Sequence, residues 1–187
     1  MGGTLKGLET VGGVRIIDRV VSAMKMVTSD IVLSANHADA SKWLVNVAIV
    51  SDKVAGFGGI SGILSALSLH RNVLVVAWDM PFVVGDLLNT IAAAGVEHGA
   101  DAAVPASHSP HGIEPFCAWY AASAHASIER FLAGGGRSAW ELVSRLPRVH
   151  RVPLSVSARF GDPDTLFLSV NTPEDLARAR AIAETLQ

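Results

Sequence analysis

Apolar and polar positions alternate along the chain in two rhythms. Over residues 14–27 the apolar positions Ile16, Ile17, Val20, Val21 and Met24 recur at helical spacing, and the same spacing returns over 60–69. Short apolar runs at 30–34 and 47–51 predict strands, and 8–11 predicts another, ended by the turn Gly12-Gly13. Residues 72–78 (NVLVVAW) form a near-continuous, largely β-branched run, which suits a strand covered on both faces. Helices are predicted over 84–94, 123–132 and 138–146, and strands over 102–105, 114–120, 150–154 and 167–170. The C-terminal helix opens at Asn171-Thr172-Pro173, with a capping Asn or Thr and a Pro in the first turn, where its missing N–H costs nothing.

This order predicts an α/β fold in three layers: a mostly parallel open sheet with helices on both faces. The 187 residues show no linker, repeat or low-complexity tract, so a single domain over 1–187 is expected. In such sheets ligands bind beyond the carboxyl ends of the strands.

Composition narrows the partners. Half the residues are apolar and 17% are charged, enough apolar mass for a core. The net charge of −2, with 15 scattered Lys and Arg, argues against nucleic acid or an anionic membrane as partner. Residues 1–13 lack the apolar region of a secretory signal, and the most apolar run, 73–84, is too short to span a bilayer and holds Asp79 and Pro81. A cytoplasmic protein is expected. The single Cys117 excludes an internal disulfide and reads as a buried structural thiol. The seven histidines show no metal-ligand spacing.

Two stretches carry candidate chemistry. In Asp79-Met80-Pro81-Phe82 an acidic residue ends a buried strand and a Pro stops the ladder, which delivers a carboxylate to the ligand edge of the sheet. Mg²⁺ is commonly held by one or two carboxylates with substrate phosphates and waters, although such an Asp also simply caps turns. Gly56-Phe57-Gly58-Gly59-Ile60-Ser61-Gly62 precedes an apolar helix, where glycines let backbone N–H groups approach an anion. The same stretch half-matches a dinucleotide fingerprint, with Asp79 as the ribose acid, so a nicotinamide-dependent oxidoreductase competes at this point. A Gly-rich turn needed only for close packing is the bland alternative.

Several segments, in order, resemble the molybdenum cofactor guanylyltransferases over nearly the whole chain. Met1-Gly2-Gly3-Thr4-Leu5-Lys6 is similar to the tail of that family's Gly-rich nucleotide loop, and Ser34-Ala35-Asn36 to its strand-end Asn. Gly58-Gly59-Ile60-Ser61-Gly62-Ile63-Leu64 resembles its Gly-Pro-Leu-Ala-Gly-Ile-Leu segment, and Asp79-Met80-Pro81-Phe82 its metal motif. Glu114 to Tyr120 resembles its Pro-Leu-x-Ala-x-Tyr strand, and Asn171 to Leu176 its C-terminal signature. Leu5, Gly59 and Ser169 depart from the pattern, standing where Asp, Pro and Asn are usual. The family's first strand and most of its Gly-rich loop would lie ahead of Met1, which then reads as an internal Met of the family's Arg-Met-Gly.

The resemblance implies a Rossmann-like nucleotidyltransferase that transfers GMP from GTP to molybdopterin, carrying Mo, and releases pyrophosphate. It implies Mg²⁺ on Asp79, with Lys6 and Asp79 catalytic. Gly2, Gly3, Lys6, Asn36 and Asp79 would bind nucleotide, and Gly58, Gly62 and Asn171 are further candidates. Molybdenum cofactor delivery proteins are the partners implied. A cytidylyltransferase and a non-catalytic nucleotide-binding descendant share these features and stay open.

Overall fold

A computed structural model describes residues 6–53, 56–69 and 72–186. After a 3-10 turn at Lys6–Leu8 come β1 (Thr10–Val11), β2 (Val14–Arg15), α1 (Ile16–Lys25), β3 (Val32–Ser34) and β4 (Ala48–Val50). Next are α2 (Gly58–Leu69), β5 (Asn72–Val76), α3 (Gly85–Glu97), β6 (Ala102–Pro105) and β7 (Cys117–Ala121). The chain closes with α4 (His125–Ala133), α5 (Ala139–Arg145), β8 (Val149–Val152), short α6 (Leu154–Ser157) and α7 (Pro163–Leu166), and α8 (Pro173–Thr185).

The main sheet has the order β5-β7-β6-β8. β6 and β8 are parallel, and β7 alone runs against its neighbours, so β5, β6 and β8 share one direction. β3 and β4 form a separate parallel pair. One core packs α2, α4 and α5 against a face of the main sheet, through residues such as Leu64, Ile128, Leu142 and Tyr120. A second core packs α1 and α3 on the opposite face, through Val20, Leu87, Ile91 and Trp119. The three-layer α/β expectation therefore holds. β6 and β7 are buried at every position, as strands covered on both faces must be.

Two expected strands are corrected. At 8–11 only Thr10–Val11 is extended, in an antiparallel pair with Val14–Arg15 around Gly12 and Gly13, both at positive φ. The helix that follows accordingly begins at Ile16. Residues 167–170 form no strand, because they pair with no ladder. Instead the Val170 N–H donates to the Asp79 carbonyl at 2.9 Å, while Leu168 and Val170 pack with Val11, Phe82 and Leu176. This cluster ties the end of the chain to the Asp79 turn.

β5 also differs from expectation. Val73 is buried, but Leu74, Val75 and Val76 are only half-buried. The reason is topological: β5 pairs with β7 on one edge and with no other strand among the described residues.

Candidate functional site

The strand ends meet at a cleft of about 760 Å³ lined by β3, β5 and α2. Asn36, Gly58, Gly62 and Asp79 all line it. Gly2 and Gly3 lie outside the described residues.

Asp79 is placed by β5. The strand's last ladder contact is the Ala77 N–H to the Phe116 carbonyl at 2.7 Å, after which the chain turns and buries Met80. Burial raises the Asp79 pKa above the usual carboxylate range. The Lys6 ammonium, a backbone N–H and the Ser169 hydroxyl oppose the rise, and the Asp175 carboxylate adds to it. Ser169, a departure from the family pattern, is thus a hydrogen-bond donor to Asp79. Lys6 Nζ donates to Asn171 Oδ1 at 2.8 Å, so Lys6, Asp79 and Asn171 come together from three distant parts of the chain.

Asn171 is held by the start of α8. The Asn171 and Thr172 N–H groups donate to Asp175 Oδ2 at 2.9 and 2.8 Å, and the Asp175 N–H donates to Thr172 Oγ1 at 3.1 Å. This reciprocal box satisfies the open N–H groups of the first turn. For Asp175, burial pushes the pKa up, but these donors and Arg178 outweigh it and leave the carboxylate below its ordinary value. Asp175 is therefore committed to structure.

On the β3 side a second polar group forms. Asn36 Nδ2 donates to Asp52 Oδ2 at 2.7 Å, the Asp52 N–H donates to Asn36 Oδ1 at 3.0 Å, and Ser34 Oγ donates to Asp52 Oδ1 at 3.1 Å. Asp52 escaped the sequence reading, although it directly follows an apolar strand just as Asp79 does. A Cβ on Gly62 would lie 2.7 Å from Ser34 Oγ, so only Gly lets α2 approach this network. Gly56 and Gly58, at φ +82 and +54, shape the turn into α2. That turn follows β4, which among the described residues pairs with β3 alone, whereas a dinucleotide fingerprint sits at the central crossover of a sheet. Trp78 stacks on Trp43 with centroids 5.0 Å apart, and Trp43 lies 5.2 Å from the His37 ring, giving the cleft an aromatic wall.

The donor set fits Mg²⁺. No group of three or more His, Cys, Asp or Glu side chains among the described residues could cage a metal, and Asp79 offers a hard, half-buried carboxylate in an open cleft. Mg²⁺ binds in this way, with phosphates and waters filling its octahedron. Cys117 is wholly buried, and burial pushes its thiol up to about 12, so it is inert, as expected. Among the described residues no helix is long and apolar enough to cross a membrane.

Comparison with known proteins gives this arrangement a family. The chain is 32% identical over 184 residues to a probable molybdenum cofactor guanylyltransferase of Pelotomaculum thermopropionicum, covering 97% of this chain and 87% of the relative. It superposes on the Archaeoglobus fulgidus molybdopterin-guanine dinucleotide biosynthesis protein A with a TM-score of 0.83 and 29% identity, covering 98% of this chain and 92% of that one. A Mycobacterium tuberculosis protein solved in complex with manganese shares the fold, with a TM-score of 0.69 at 17% identity over 96% of this chain and 93% of its own. The MobA-like NTP transferase domain matches residues 1–149, and the chain belongs to that family of nucleotidyltransferases.

Proposed function

We propose that the protein transfers GMP from GTP to the terminal phosphate of molybdopterin, with or without Mo, and releases pyrophosphate. The observation that carries this reading is the meeting of Lys6, Asp79 and Asn171 at one edge of a cleft whose β3 side holds Asn36 and Asp52. The names of the relatives at about 30% identity support it.

The reaction joins two anions, so the protein's task is to neutralise charge and align the partners. Lys6, held at 2.8 Å by Asn171, places a cation where the GTP phosphates would lie. Asp79 would hold Mg²⁺, which when bound offsets phosphate charge and helps orient in-line displacement. Burial raises the Asp79 pKa, and a cation held beside it would favour the carboxylate form and oppose that rise. Asp52 is pre-oriented by Ser34 and Asn36, and its remaining lone pairs suit the N1–H and N2 amino donors of guanine. The Trp43–Trp78 wall excludes water beside the reacting phosphates. Cytosine has no N1–H donor, so the Asp52 carboxylate favours guanine over the cytidylyltransferase alternative.

Isothermal titration of GTP and CTP with and without Mg²⁺, followed by turnover with molybdopterin, tests the reading. Mg²⁺-dependent GTP binding that Asp79→Ala abolishes supports it. Binding of neither nucleotide, or a preference for CTP, overturns it.

A further inference from the structure

The loop between β6 and β7 leaves the carboxyl end of β6, and β5 and β6 share one direction, so this loop lies on the same sheet edge as Asp79. It borders a second, smaller pocket of about 330 Å³, lined by Glu114 of the loop and Trp140 of α5 among others. Phe116 lines both this pocket and the main cleft. Its carbonyl accepts from the Ala77 N–H at 2.7 Å, two residues ahead of Asp79. The two spaces therefore adjoin at one side chain.

The chemistry of the small pocket is specific. Trp140 is 42% exposed, and the exposed imidazole of His111 lies flat on it, with centroids 4.7 Å apart at 16°. The indole face thus accepts a flat nitrogen heterocycle. Glu114 is half-buried, and burial raises its pKa against the opposing effect of the Ser107 and Ser109 hydroxyls. A carboxylate drawn out of water in this way gains from a ligand that brings paired N–H donors. A 2-amino-4-oxopyrimidine edge carries such a pair, an amino group beside a ring N–H, on a flat ring that stacks.

We propose that this pocket holds the pterin ring of the acceptor, with Glu114 accepting from its amino and ring N–H groups and Trp140 stacking on it in place of His111. The inference rests on the acceptor being molybdopterin, as proposed above. Glu114 then stands to the pterin as Asp52 stands to guanine, one carboxylate in each space. The ring is anchored beyond Phe116, and the terminal phosphate reaches past that side chain toward Asp79. Guanine presents the same edge as a pterin, so the test must separate the two.

Fluorescence titration of hydroxymethylpterin into the full chain reads the pocket without any turnover. Lumazine, with an oxygen in place of the amino group, is the control. Wild type is expected to bind the pterin at least about tenfold more tightly than lumazine, and Glu114→Gln to bring the two within about threefold. Trp140→Leu weakens both, and saturating GTP leaves the pterin affinity unchanged. No pterin binding, equal binding of pterin and lumazine to wild type, a preference that survives Glu114→Gln, or displacement of pterin by GTP overturns the proposal. The last of these outcomes would give the pocket to guanine. Pterin discrimination without GMP transfer leaves the pocket assigned and strikes only the transfer reaction.

Discussion

Lys6 and Asn171 stand 165 positions apart in sequence, yet the ammonium of one donates to the side-chain carbonyl of the other at 2.8 Å. The contact is exposed and contributes little to stability, so its value lies in where it holds the charge.

Asn171→Ala is accordingly expected to lower kcat/KM for GTP by about tenfold to a hundredfold while shifting stability by less than about 0.5 kcal/mol. Steady-state kinetics beside a urea melt separate the two. A variant that unfolds would instead assign Asn171 to the α8 cap.

Asp79→Asn is expected to abolish turnover and leave the ligand-free protein as stable as wild type or more so at neutral pH. The folded state raises the pKa of Asp79, chiefly through burial, so keeping it ionised costs the fold something above that value. The cost fades as pH falls and Asp79 takes up its proton, so any stability gain of the variant shrinks in acid. Differential scanning from pH 7 down to about pH 4, near the ordinary carboxylate value, reads the trend. By the same sign, if Asp79 holds Mg²⁺ as proposed, that binding is expected to weaken with falling pH sooner than at an ordinary carboxylate.

Asp52→Asn tests base recognition. Guanine offers a carboxylate two donors, whereas the hypoxanthine of ITP lacks the amino group. Wild type is expected to prefer GTP to ITP by about tenfold or more, and the variant to treat the two nearly alike. Competition kinetics measures the ratio directly.

Asp101 anchors the far end of the sheet. It is 3% exposed and accepts from the Arg148 side chain at 2.8 Å and the Arg148 N–H at 3.0 Å, and also from Ser123 Oγ. The Arg148 hydrogen bond is the main reason its pKa is lowered. Asp101→Ala is expected to cost about 1 kcal/mol, because it removes the buried acceptor of the Arg148 and Ser123 hydrogen bonds while those exposed donors can turn to water. Because the folded pKa is depressed, the native contribution is complete above pH ~4 and disappears as pH falls through the folded value. Urea melts at pH 7 and pH 3 should show the gap between wild type and variant closing.

Most elements were legible because their patterns are local. The helices at 60–69 and 84–94 and the strand at 102–105 announce themselves by spacing, and Asp79 by its place at a strand end followed by Pro81. Periodicity carries no strand direction, so the reversal of β7 could not be read. Residues 167–170 look like a strand because Phe167, Leu168 and Val170 are apolar, but their partners are side chains of a separate cluster. Asp52 and Ser169 act through neighbours remote in sequence, and no spacing rule reaches them. The half-exposed face of β5 depends on which strands lie beside it, a property of the assembled sheet.

The aromatic wall has a practical side. Indoles 5.0 Å apart at 21° couple their transitions, and one of this pair, Trp78, immediately precedes Asp79. The chain thus carries a built-in optical gauge at its reactive edge: near-ultraviolet circular dichroism follows any tilt of Trp78 against Trp43, so cleft occupancy can be watched in real time on unlabelled protein.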